Sequence, residues 1–168
     1  MTKKAKNVAY GAVIAALYVA LCYLQNALLP NSASFPIQFR VAEALCVLAY
    51  FTPAAVPGLT LGCLLFNVSF AGAFPLDPVV GTLASFLAAE GMFLTRKLTV
   101  KGYPLLGMWL PAITNALLVG WELDLYMGGG FWLNALYVAL GEWIVMLTVG
   151  SVLYSAIRVR NLDTRLFQ

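Results

Sequence analysis

The sequence predicts an all-α integral membrane protein, a bundle of about six transmembrane helices, from three observations. Apolar residues fill 62% of its 168 positions and charged residues 10%, whereas roughly a quarter of a soluble domain is charged. The apolar residues gather in long runs, and an α-helix needs about 20 such residues to cross a hydrocarbon core of roughly 30 Å. Prolines, charges and glycine clusters cut these runs into six segments. No linker, charge block or low-complexity tract divides the chain, so residues 1–168 read as one domain.

Segment one runs from about Val8 to Leu29. It is too long, and too devoid of a small-residue cleavage site, for a removed signal peptide, so it is expected to stay in the mature protein. Segment two, about Val41 to Thr52, is short for a crossing and is expected to be tilted, shallow or broken. Pro53 and Pro57 separate it from segment three, about Ala54 to Phe70. Segment four spans about Leu76 to Thr95 and segment five Pro104 to Tyr126. Gly128, Gly129 and Gly130 mark the turn into segment six, about Phe131 to Ile157.

Lys3, Lys4 and Lys6 precede segment one; Arg96, Lys97 and Lys101 follow segment four; Arg158, Arg160 and Arg165 follow segment six. Six crossings place all of these on one side, which the positive-inside rule makes the cytoplasm, with both termini there. The basic residues form no patch for nucleic acid. Cys22, Cys46 and Cys63 have no CxxC spacing and read as small packing residues. Histidine is absent and there is no GxxxxGK[ST] run, so neither a metal site nor a nucleotide phosphate site is expected. Energy for transport would come from a gradient or a partner. An intramembrane enzyme lacks its parts: no His, and no Ser or Cys beside an evident base.

Arg40 alone among the basic residues falls on the outer side, with Glu43 at i+3, close enough to pair on one helical face. Two readings follow: a structural ion pair anchoring a short helix, or a polar gatekeeper over a binding cavity. Glu122 lies near the outer end of segment five, with Asn115 two turns deeper on the same face. Glu142 falls near mid-bilayer, where a carboxylate costs on the order of 3 kcal/mol and is expected to face the bundle interior or a wet cavity. Asn67 adds an amide near the outer end of segment three, and Glu90 reads as a cytoplasmic ion pair with Arg96 and Lys97 or as a partner contact. Trp121, Trp132 and Tyr126 fit an interfacial aromatic belt, or a stacking surface for a flat ligand. Ala12, Ala16 and Ala20 form a smooth stripe on segment one, and Gly58 with Gly62 repeats the pattern in segment three. Both are docking faces, for internal packing or for another subunit.

Several runs together resemble one family. Gln38-Phe39-Arg40-Val41-Ala42-Glu43-Ala44-Leu45 and Phe51-Thr52-Pro53-Ala54-Ala55-Val56-Pro57-Gly58 are similar to the hallmark stretch of the QueT family of queuosine-precursor transporters. Leu76-Asp77, Gly81-Thr82-Leu83-Ala84, Asn115 to Gly120 with Glu122-Leu123, and Phe131 to Tyr137 with Gly141-Glu142 continue the likeness over nearly the whole chain. Ala42, where a serine is frequent, and Trp143, where a small residue is usual, depart from the pattern.

The resemblance implies a substrate-binding S component of an energy-coupling-factor importer in a bacterial cell membrane. In such importers a separate transmembrane coupling protein and two ATPase subunits supply the drive; this chain would hold no cofactor, ATP being used by the partners. The implied ligand is a 7-deazaguanine, whose adjacent N–H donors suit a carboxylate. The implied binding residues are Arg40, Glu43, Asn67, Asn115, Glu122, Trp132, Asn134 and Glu142, with Ala12, Ala16 and Ala20 docking the coupling protein. Glu142 and Glu122 are the candidates for the base edge and for an aminomethyl cation, in either order. An S component for another flat, vitamin-like solute, or a structural membrane subunit, are the alternatives.

Overall fold

A computed structural model describes residues 2–30, 32, 39–70 and 74–166. Gln38, the first residue of the hallmark run, lies outside them, and the side chain of Arg165 is likewise not described. Helix α1 (Lys3–Leu28) begins where the Thr2 hydroxyl accepts the Ala5 N–H at 3.3 Å, an N-cap that satisfies one of the first-turn donors. Its buried residues Gly11, Ile14, Ala15, Tyr18, Cys22 and Gln25 recur at helical spacing, which sets one face inward.

That face meets α2 (Ala55–Phe70) through glycines. A Cβ on Gly58 would lie 2.7 Å from the Gly11 carbonyl oxygen, and one on Gly62 would lie 2.8 Å from Tyr18 Cβ. The approach of the two backbones therefore depends on both glycines, and the Gly58–Gly62 stripe serves internal packing. Ala12, Ala16 and Ala20 lie on the opposite, exposed face of α1.

Segment two is a 3₁₀ helix, Val41–Tyr50, with its residues from Ala42 to Ala49 all buried. A 3₁₀ helix rises about 2.0 Å per residue, so these residues reach some 5 Å further than as an α-helix. A short segment thereby covers more of the membrane depth. Around it the other helices stand in a chain of neighbours, α1–α2–α3–α5–α6, with α3 spanning Asp77–Leu94, α5 Leu110–Met127 and α6 Phe131–Val145. The 3₁₀ helix touches α1, α2, α3 and α6 and occupies the middle. Irregular backbone at membrane depth is tolerable in such a place, because protein surrounds it.

Segment five is broken where a continuous helix was expected. The short α4 (Leu105–Met108) precedes α5, and Pro111 stands in the first turn of α5. Its ring would clash with the carbonyl four residues back and offers no N–H, so one helix cannot run through. Segment six continues from α6 through a π-helical turn, Met146–Gly150, into α7 (Ser151–Val159), followed by α8 (Leu162–Leu166). Gly150 packs beside Met146 and against Val47 of the 3₁₀ helix. Gly128, Gly129 and Gly130 take φ of 71°, 91° and 96°, the left-handed turn into α6 that side-chain-bearing residues resist.

Among the described residues, three helical stretches have the length and apolarity of a full crossing: Lys3–Leu28, Asp77–Leu94 and Phe131–Val159. Val41–Tyr50 and Ala55–Ser69 are apolar but shorter. Helix α5 has 18 residues, and Asn115, Glu122 and Asp124 interrupt its apolar run. The chain is thus an all-α membrane protein with fewer full-length spans than the six segments anticipated. Its outer surface exposes Val13, Leu17, Leu65, Val79, Leu117, Leu136 and Val152, more apolar surface than water tolerates on a monomer and suited to lipid.

Candidate functional site

The site is built outward from Arg40. Gln25, near the end of α1, accepts the Val41 N–H on its Oε1 at 2.8 Å and donates from Nε2 to the Phe39 carbonyl and to Ser32 Oγ. It thereby grips the backbone on both sides of Arg40, which is 4% exposed. Arg40 caps the 3₁₀ helix in a non-helical conformation, φ −84° and ψ 90°, so its side chain leaves the row that Glu43 occupies. The anticipated Arg40–Glu43 pair is accordingly not formed. Arg40 Nη2 instead meets Asp77 Oδ2 at 3.1 Å.

Asp77 opens α3, where the helix dipole favours a negative charge. Its backbone carbonyl accepts from Asn67 Nδ2 at 3.0 Å, tying α2 to the same point. Gly81, one turn on, leaves the room: a Cβ there would sit 2.6 Å from Asn67 Nδ2 and collide with the Asp77 carboxylate.

Glu43 is fully buried and well supplied. Tyr18 donates to its Oε1 at 2.5 Å and Ser85 at 2.9 Å, while the Cys46 thiol donates to Oε2 at 3.4 Å. These bonds fasten the 3₁₀ helix to α1 and α3. Glu142 and Glu122 are equally buried, yet neither oxygen of either carboxylate meets a donor among the described residues. Arg40 is within Coulomb reach of both, Asp77 also reaches Glu122, and Glu43 also reaches Glu142. Asn115, two turns before Glu122 on α5, donates to the Pro111 carbonyl at 3.0 Å and leaves its Oδ1 without a partner. Asn67 Oδ1, Asp77 Oδ1 and Arg40 Nε and Nη1 are in the same condition. Gly120 brings α5 against α6 beside this cluster, since a Cβ would lie 2.7 Å from Ala135 Cα.

Other residues singled out in the sequence stand elsewhere. Trp132 is 79% exposed and lines a lateral groove between α5 and α6 with Trp109 and Trp143, whose rings lie 4.4 Å apart. Trp121 and Tyr126 are exposed as well, which fits the aromatic belt. Asn134 donates to the Gly128 carbonyl at 2.8 Å and secures the glycine turn. No ion pair joins Glu90 to Arg96 or Lys97 among the described residues; Arg96 donates to the Phe93 carbonyl at 2.6 Å. Asp77, Gln25, Tyr18 and Ser85 were not anticipated. Asp77 at a helix start reads as a dipole partner, and a lone Gln, Tyr or Ser in an apolar run names no companion.

A family model described as "QueT transporter" matches residues 8–159. No curated protein and no solved structure matches the chain.

Proposed function

The chain belongs to the QueT transporter family, and from that premise we propose that it is the S component of an energy-coupling-factor importer, a single substrate-binding domain over residues 1–168 that takes a 7-deazaguanine queuosine precursor (preQ1, preQ0 or queuine) from outside. The observation that carries this reading is the surplus of buried acceptors lacking donors: Glu122, Glu142, Asn67 and Asn115 present oxygens with no protein partner. A buried carboxylate without a donor is costly, on the order of several kcal/mol. A ligand rich in adjacent N–H groups removes that cost. The guanine-like edge offers such donors, and its carbonyl oxygen suits the remaining donors of Arg40. Two buried carboxyl groups, Glu122 and Glu142, suit a ligand that carries an aminomethyl cation besides its base edge, since an unpaired ammonium would be costly to bury.

The exposed stripe of Ala12, Ala16 and Ala20 supports docking of a transmembrane coupling protein, which with two ATPase subunits would supply the energy that no nucleotide motif here provides. The basic residues support cytoplasmic termini in a bacterial cell membrane. Purified protein should bind deazaguanine bases saturably, and the mass of a copurifying small molecule should match one. Saturable binding of an unrelated flat vitamin that deazaguanines fail to displace would reassign the substrate, and binding of no solute would leave a structural subunit.

A further inference from the structure

We propose that the end of the bundle away from Arg40 holds a site for a phosphate group on an acidic lipid, formed by Arg96 and Arg158. It shares no residue with the proposed solute site. Asp77 opens α3 and Arg96 follows its other end, so the two sites are separated by the length of that helix, about 27 Å at the α-helical rise.

A cavity of about 240 Å³ lies there, lined by Arg96, Thr99, Arg158, Asp163, Tyr50 and Tyr154 among others. Its walls are fixed from several elements. Tyr50 donates to the Pro104 carbonyl at 3.3 Å and Tyr154 to the Gly102 carbonyl at 3.1 Å, while the Tyr50 and Tyr154 rings meet edge to face at 6.0 Å. Arg96 is held by the Phe93 carbonyl and by the Phe93 ring, 3.9 Å from its guanidinium carbon. Arg158 pairs with Asp163 at 3.1 Å.

Each guanidinium carries about five N–H donors in a planar fork that matches phosphate oxygens. The lining has two arginines and one aspartate, a net charge of +1 that complements a single phosphodiester. A lipid is favoured over free phosphate as its bearer because the chain on either side of the arginines exposes apolar side chains: Leu94 and Leu98, flanking Arg96 in sequence, and Val159, next to Arg158, are 67%, 56% and 80% exposed. Basic pockets at the end of a bundle recognise acidic headgroups in this way.

The test is native mass spectrometry of the full chain released from nanodiscs of mixed phosphatidylglycerol and phosphatidylcholine. Wild type should retain phosphatidylglycerol preferentially. Arg96→Gln with Arg158→Gln should abolish the preference, and Asp163→Asn, which raises the site's charge by one unit, should strengthen it by about fivefold. Deazaguanine binding should be unchanged in both variants, which shows that they fold. Equal retention of the two lipids by wild type, or a preference that neither variant alters, would overturn the site. In a parallel arm inorganic phosphate alone is titrated. Phosphate binding that Arg96 and Arg158 control, without lipid preference, would assign the site to soluble phosphate and overturn the lipid.

Discussion

Glu142→Gln separates recognition from folding. Glu142 is fully buried, and the protein supplies no donor to either of its oxygens among the described residues. The amide therefore forfeits no protein hydrogen bond, and a neutral group is easier to hold in a bilayer than a carboxylate. Stability should hold or rise. The solute, in contrast, loses a charged acceptor and meets an NH₂ group opposing its own N–H donors. That change should cost on the order of 2–4 kcal/mol, or at least about thirtyfold in affinity. Calorimetric titration with deazaguanines, beside a thermal melt of the same samples, reads both quantities. Glu43→Ala is the counterpart. It removes the carboxylate acceptor of the Tyr18 and Ser85 hydroxyls and leaves Ser85 the weaker Cys63 sulfur, so it should lose about 3 kcal/mol of stability, or roughly 6–12 °C in midpoint. Folded Glu142→Gln protein with affinity within about threefold of the parent, less than 1 kcal/mol by the affinity scale, would refute the assignment and pass the role to Glu122.

Gly62→Ala should lower the melting midpoint, because the new Cβ would stand 2.8 Å from Tyr18 Cβ and overpacking costs about 1–3 kcal/mol; an unchanged melt would contradict the close approach of α1 and α2. Ala16→Trp, on the exposed face of α1, should leave solute binding intact and prevent copurification with the proposed coupling protein. Normal assembly would discard that interface. A cysteine at Gly129 should react with an impermeant outside reagent while one at Lys101 stays shielded, and the reverse pattern would invert the orientation.

Helix positions were legible because lipid demands long apolar runs, and glycine and proline punctuate them. Gly128 to Gly130 turn where expected, and α3 starts within a residue of the anticipated point. The form of segment two was not. Val41 to Tyr50 has no residue that announces a 3₁₀ helix; the tighter winding follows from a short connection held between Gln25 at one end and Pro53 beyond the other. For the same reason Arg40 and Glu43 misled. Their i+3 spacing presumes that both are helical, whereas Arg40 is a cap that turns away to Asp77, 37 positions along the chain. Burial of Glu142 was legible from the expense of a carboxylate at mid-bilayer, and that of Glu122 from the face it shares with Asn115. Exposure of Trp132 was not, since an aromatic residue at a helix end serves a belt and a stacking surface equally well.

The buried carboxylates occupy one part of the bundle. Arg40, Asp77 and Asn67 meet at the start of α3, and Glu142 stands about 17 Å into α6. One turn further on, Met92, Met108 and Met146 are fully buried in the apolar core, with Tyr103 donating to the Met108 sulfur at 3.3 Å. A solute bonded to the carboxylates would have to leave every charged partner to enter that apolar core, and unpaired polar atoms there are penalised by several kcal/mol each. The π-helical turn that carries Met146 is in contact with the 3₁₀ helix. Passage thus requires a rearrangement of whole helices, or of the bundle in the membrane. With no nucleotide-binding run, that work would come from a gradient or, in the proposed reading, from a coupling partner. A partner docking on the proposed alanine stripe of α1 would meet the exposed face of that helix, opposite the one it buries in the bundle.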